Sequence, residues 1–174
     1  MSPYLFSIVS VIIFALDRIT KTLVLHNVSP GSTIPIIPPM LNLTFVTNSG
    51  AAFGILQDKK LFFIIVTIIA MVAILYYFYT VYKVDKWSSW ALSFVFGGAI
   101  SNFYDRLTMG EVIDFIDVGT MRWRWPAFNI ADTSICIGVM ILIIVILFEK
   151  KTEGLNRHTA SIETPEEPSN KKEQ

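Results

Sequence analysis

The chain has 174 residues, 53% hydrophobic and only 16% charged, and its 14 basic and 14 acidic side chains cancel. That charged share lies well below the roughly one quarter of a soluble domain, so one compact membrane domain is expected, with no room for a second. A net charge of zero gives no basic field for nucleic acid; one cysteine, Cys136, rules out an internal disulfide, and two histidines with no ligand neighbours at useful spacing argue against a zinc site.

Four segments offer the roughly 20 mostly apolar residues that a spanning helix needs. The first is residues 4–25. It begins like a signal-peptide core, but no basic stretch precedes it and no small-residue cleavage site follows, so it reads as a retained helix. About 35 residues follow it, starting with the Pro- and Gly-rich VSPGSTIPIIPPM. Next comes LNLTFV, whose alternation predicts a strand. TNSGAAFGI after it is small and Gly-rich, and reads either as a substrate-lining loop or as an ordinary turn into an interfacial helix. The second span is residues 61–82; a short polar KVDK leads to the third, residues 87–107. The return to the fourth contains VIDFIDV and MRWRWPAF, both able to form strand-like structure. The fourth span is residues 132–148, where Cys136 reads as a small buried hydrophobe. The predicted fold is therefore an all-α membrane protein. Four transmembrane helices fill residues 1–150, with a small β-structured subdomain and an interfacial loop or helix on one side. Residues 151–174 have few apolar side chains and are expected to be a disordered tail. Lys83, Lys86, Lys150 and Lys151 favour the side of the short turn and the termini as cytoplasmic, but Lys59, Lys60, Arg122 and Arg124 oppose them.

Polar residues in apolar places carry the functional signal. Asp17 and Lys21 stand at i, i+4 in the favourable order. Ionisable groups inside a span are functional candidates by default, yet a carboxylate held by an ammonium is poorly placed to take protons. The pair either neutralises itself or supports a nearby site. Asn102, Asp105 and Arg106 share one face of the third span, one turn after Gly97 and Gly98, which allow close helix approach. Asp105 paired with Arg106 is expected as a brace; Asn102 is open between helix glue and site residue. Asp114 and Asp117, three apart in a strand, point to opposite faces and are not expected to act as a pair. Asp132 opens the fourth span, where an acid is a favourable cap, and Asn129 lies three residues before it.

The arrangement is more telling than any single acid. Asp114 follows the third span and Asp132 begins the fourth, so both lie at the same membrane face. Two carboxylates brought close do not both ionise easily. Such a pair can hold a water, deprotonate it and protonate a leaving amine. That is aspartyl protease chemistry, and it requires no metal or cofactor. A Ser/Lys hydrolase built from Lys21 with Ser49 or Ser101 is a rival, but it needs a lowered lysine pKa, which Asp17 opposes. A transporter or channel subunit would place its acids along a path through the membrane rather than at one face. A presenilin-type protease would carry GxGD, which does not occur.

Five blocks in order, DRITK (17–21), NSGAAFG (48–54), GGAISNFYDR (97–106), VIDFID (112–117) and FNIAD (128–132), resemble the motifs of the bacterial lipoprotein signal peptidase, or type II signal peptidase, family. The resemblance covers residues 17–148. It implies a multi-pass aspartyl endopeptidase of the bacterial inner membrane, with both termini cytoplasmic and the two large loops, hence the active site, outside. Its substrates would be diacylglyceryl-modified prolipoproteins, cut immediately before the modified cysteine. The implied catalytic pair is Asp114 and Asp132. Asn48, Asn102, Arg106 and Asn129 are implied to line the site or touch substrate, and Gly50 and Ala131 match further motif positions. Asp17, Lys21 and Asp105 are implied to hold the site together. Membrane lipid and globomycin-like cyclic peptides are the other implied partners, and a monomer is expected. Asp117 matches a motif acid without a role, and Glu111 reads as a solvated loop residue.

Overall fold

The computed structural model describes residues 1–50 and 55–163, with side chains through residue 148. The elements run α1 (Pro3–Asn27), β1 (Thr33–Ile37), β2 (Leu41–Asn48), α2 (Lys60–Val81), α3 (Lys86–Thr108), β3 (Val112–Val118) and α4 (Ile130–Glu163). Each helix start agrees with the sequence reading to within two residues. Local chemistry sets two of these starts. Ser2 caps α1 by accepting from the Leu5 amide ahead of Pro3, and Asp85 caps α3 by accepting from Trp87 and Ser88. The helix α4 passes the end of its apolar stretch and the expected start of the disordered tail, and continues to Glu163. Residues 149–163 contain no proline and a single glycine, so nothing in them stops a helix. Residues 164–174 lie outside the described ones, as do residues 51–54 of the Gly-rich loop.

Among the described residues, two helices are long and apolar enough to cross a membrane, Lys60–Val81 and the Ile130–Phe148 part of α4. The other two carry the polar residues of the interior. Phe62, Ile65, Ile69, Val72 and Tyr76 of α2 face outward, whereas Ser10, Asp17, Lys21, Ser93, Ser101 and Asp105 of α1 and α3 are buried. An apolar exterior around a polar interior is the distribution that lipid solvation permits, because lipid gives apolar side chains no reason to hide. The same inversion corrects the reading of Cys136, which is exposed rather than buried.

Helix α3 packs against each of the other three. Serine hydroxyls tie the helices together: Ser10 Oγ donates to the Ser93 carbonyl at 3.1 Å and Ser134 Oγ to that of Phe94 at 3.2 Å. Close approach depends on Gly97 and Gly98. A β-carbon on Gly97 would meet Ser10 and Ile13 of α1, and one on Gly98 would overlap the Ala131 carbonyl and the Ser134 hydroxyl of α4. Gly98→Val is therefore expected to destabilise the protein by about 1–3 kcal/mol and to lower activity by displacing the first turn of α4. Thermal unfolding in detergent together with turnover would check both; an unchanged midpoint would count against so tight a contact.

The three strands form one antiparallel sheet in the order β1-β2-β3. The strands predicted from LNLTFV and VIDFIDV are β2 and β3, whereas β1 (TIPII) went unread because of its proline. As an edge strand it needs only one ladder, which is where a strand tolerates proline. MRWRWPAF forms no strand, only the isolated bridges Gly119–Arg124 and Ile116–Phe128. Val24 and Val28 at the end of α1 pack with Phe45, Ile113 and Phe115 of the sheet. This cluster fixes the sheet to the helix end and so sets where Asp114 lies.

Candidate active site

Beneath the site is a buried charge cluster. Asp17, Lys21 and Asp105 are at most 1% exposed. The Lys21 ammonium has three N–H groups and three acceptors: Asp17 Oδ2 at 2.7 Å, Asp105 Oδ2 at 2.7 Å and Asn102 Oδ1 at 3.0 Å. Arg18 closes the cluster through Asp105 Oδ1 at 2.6 Å and Asp17 Oδ2 at 3.4 Å, and lies over the Tyr104 ring. Two acids and two bases thus balance. Asp17 also accepts from the Ser101 hydroxyl at 2.6 Å and from the Ala131 amide at 2.9 Å, which ties α1 to both α3 and the first turn of α4. The expected Asp105–Arg106 pair does not form. Successive helix positions are about 100° apart, so Arg106 turns instead to the Gly50 carbonyl at 3.2 Å and the face of Phe63. Arg18 is the residue that the sequence reading missed. Its place in DRITK was visible, but not that it would reach Asp105 on another helix.

Asp132 sits in a reciprocal cap at the start of α4. Its amide donates to Asn129 Oδ1 at 2.9 Å, and its Oδ2 accepts from the Asn129 amide at 3.2 Å. The capping role is real and leaves Oδ1 free for another partner, the Asn102 Nδ2 at 2.8 Å. Asn129 is fully buried. Its Nδ2 donates to Asp114 Oδ1 at 2.7 Å, to the Ile113 carbonyl at 3.1 Å and to Asn102 Oδ1 at 3.3 Å. It thereby bridges the two acids. From the other side Asn48 Nδ2 donates to Asp114 Oδ2 at 3.3 Å, while Asn48 Oδ1 accepts from the Gly50 amide at 2.9 Å. Gly50 has no room for a side chain, since a β-carbon would meet the Ile55 carbonyl at 2.6 Å.

Burial first, then the neighbouring charge of Asp132, pushes the Asp114 carboxyl up to about 7, against the opposing hydrogen bonds of Asn48 and Asn129 and the charge of Lys21. Both acids line one cavity of about 790 Å³, together with Asn48, Gly50, Asn102 and Arg106. Its other wall is apolar, formed by Phe63, Val66, Ile137 and Met140 of α2 and α4. The structure thus gathers Asp114, Asp132, Asn48, Gly50, Asn102 and Arg106 around one space, with Asn129 and Ala131 directly behind it. Asp17, Lys21 and Asp105 form the floor.

Asp117 stands apart. It binds Arg124 Nε at 2.6 Å and Asn42 Nδ2 at 2.9 Å, and Arg124 Nη1 reaches the Pro39 carbonyl at 3.0 Å. Burial alone would raise its carboxyl; the hydrogen bonds from Arg124 and Asn42 and the guanidinium charge outweigh it and hold the group below its ordinary value. Its role is to clamp the far end of the sheet. The Ser/Lys rival finds no support among the described residues: Ser101 donates to Asp17, Ser49 Oγ accepts from the Asp58 amide at 3.4 Å, and every N–H of Lys21 is engaged elsewhere.

Comparison with known proteins gives a consistent answer. The profile of the family Signal peptidase (SPase) II matches residues 9–148. Two solved structures, each described as a bacterial membrane enzyme obtained by the in meso method, are similar. One is 35% identical with a TM-score of 0.81, covering 99% of this chain and 94% of its own. The other is 38% identical with a TM-score of 0.76, covering 83% of this chain and 94% of its own. The family match contains every polar residue of the site, from Asp17 to Asp132. The chain therefore belongs to the signal peptidase II family, and is a membrane aspartyl endopeptidase that removes signal peptides from lipoproteins.

Proposed function

We propose that Asp114 and Asp132 are the catalytic pair, and that the enzyme cuts immediately before a cysteine bearing diacylglycerol. The observation that carries this reading is the convergence of two carboxylates, from a strand and a helix start, on one cavity with Asn129 bonded to both. Near neutral pH the pair shares one proton, and its titration belongs to both acids together. A water held between them gives a proton to the ionised acid and forms the new bond to the peptide carbonyl carbon. The protonated acid donates to the developing oxyanion. The tetrahedral intermediate then collapses, the C–N bond breaks and the leaving amine takes a proton from the pair. Asn48 and Arg106, at the cavity wall, bind the peptide backbone near the cut.

All four helices cross the bacterial inner membrane in this reading, and residues 1–150 form the protease domain. Both termini are cytoplasmic, and the sheet and site lie at the outer face. The apolar cavity wall on α2 and α4 supports lateral arrival of the signal helix, with the acyl chains left in lipid. Globomycin-like peptides compete for the same cavity. The enzyme acts as a monomer.

The test uses enzyme in lipid nanodiscs with one prolipoprotein prepared with and without its diacylglyceryl group, the products identified by mass spectrometry. A single new N-terminus at the modified cysteine is expected, with little cleavage of the unmodified form. Equal cleavage of both forms would remove the lipid from the recognition, and a cut elsewhere would move the site. The pH profile follows from the direction of the Asp114 shift. A carboxyl raised to about 7 keeps its proton below that pH and loses it above. Turnover is therefore expected to fall as pH rises through about 7, as the pair becomes doubly ionised. A rate that stays flat to pH 9 on substrate stable over that range would contradict a shared proton.

A further inference from the structure

We propose that Lys21 is a positioning residue for the reaction: its ammonium locks the Asn102 carboxamide in the one orientation that donates an N–H to Asp132. The inference rests on the reading of Asp132 as catalytic. Lysine offers three donors and no acceptor. It can therefore face only the oxygen of Asn102, which it does at 3.0 Å, and Asn129 Nδ2 faces the same oxygen at 3.3 Å. With two donors on Oδ1, the amide nitrogen has to point the other way, to Asp132 Oδ1 at 2.8 Å. A flipped amide would set its N–H groups against the ammonium and against Asn129, and would present an oxygen to Asp132.

The remaining two N–H groups of Lys21 are held by Asp17 and Asp105 at 2.7 Å each, so the ammonium cannot swing away. Arg18 supplies the second positive charge, so the two acids do not draw Lys21 off Asn102. The chain of contacts runs from α1 through α3 to α4. It leaves both oxygens of Asp132 accepting N–H donors, Oδ1 from Asn102 and Oδ2 from the Asn129 amide.

Lys21→Met alone strands a buried carboxylate and can fail to fold for that reason. The measurement therefore starts from Asp105→Asn, shown to be folded by its unfolding midpoint, whose excess of one cation is relieved rather than created by loss of Lys21, since Asp17 and Arg18 then balance. On that background kcat and KM are measured on diacylglyceryl-modified prolipoprotein for Lys21→Met, Asn102→Leu and the two together. Each change is expected to lower kcat by about 10²-fold through misplacement of the reacting group, with KM within about threefold. Because Lys21 acts through Asn102, the combination is expected to be no slower than the slower of the two. Multiplied losses, a change confined to KM, or a Lys21→Met variant as fast as its background would overturn the proposal. Asn102→Asp, with Lys21 intact, keeps an acceptor for the ammonium and replaces the donor to Asp132 with an oxygen that repels it. It is expected to be about 10²-fold slower in kcat, and an unchanged kcat overturns the proposal without any loss of Lys21. Asp132→Asn in the same assay separates the two readings. If it is active, the catalytic pair itself is wrong; if it is inert while the losses multiply, only the role of Lys21 falls.

Discussion

Asp114→Asn and Asp132→Asn are each expected to lower turnover by about 10³-fold or more while the protein stays folded, because each removes a proton acceptor or donor from a step that uses both. Asparagine keeps the size of the side chain and one acceptor oxygen. At position 132 that oxygen suffices for the Asn129 amide, so the cap on α4 survives. Any loss of capping costs about 1 kcal/mol. At position 114, Asn48 and Asn129 keep one acceptor between them. Turnover of lipid-modified prolipoprotein, measured beside the thermal unfolding midpoint of each variant, separates chemistry from folding. A folded variant within tenfold of the parent would return that acid to a structural role.

The second large effect concerns stability. Asp17→Ala is expected to cost about 3–5 kcal/mol, the usual penalty for breaking a buried ionic cluster by removing one partner. Asp17 is fully buried and takes hydrogen bonds from Lys21, Ser101 and the Ala131 amide. Its removal leaves two cations facing Asp105 alone and frees the first turn of α4 from α1. The unfolding midpoint should fall steeply, and activity should fall with it. Asp117→Ala is the useful contrast. Its partners Asn42 and Arg124 lie at the far end of the sheet, so turnover should stay within about threefold of the parent, as for most changes away from a buried network. A loss as large as that of Asp17→Ala would mean that the sheet end communicates with the cavity.

The helices were legible because each polar interruption in the sequence is brief beside a long apolar run. Strand β2 was legible from alternation and β3 only as one of two stretches able to form strand-like structure, while β1 was hidden by Pro35, whose tolerance depends on an edge position that no local pattern reveals. Asp114 and Asp132 could be paired from their place at the same ends of adjacent spans. What sequence could not supply was side-chain direction across helices. Asp105 takes Lys21 and Arg18 rather than its neighbour Arg106, and Asn129 faces both acids at once. Both depend on how α1, α3 and α4 rotate against one another. Cys136 was misread for a related reason: an apolar helix in this protein is apolar on its outside.

The balanced charge cluster also says something about the order of assembly. Synthesis delivers α1 first, and its share of the cluster, Asp17, Arg18 and Lys21, carries one positive charge in excess. The missing negative charge, Asp105, is on α3 and arrives about 80 residues later. With α1 spanning the bilayer as proposed, a lone charge in the hydrocarbon layer would be costly, and α1 on its own would be an unfinished element, held near the interface or shielded until α3 docks. In that reading the first and third helices would insert as a single unit, divided in the chain by the sheet and by α2.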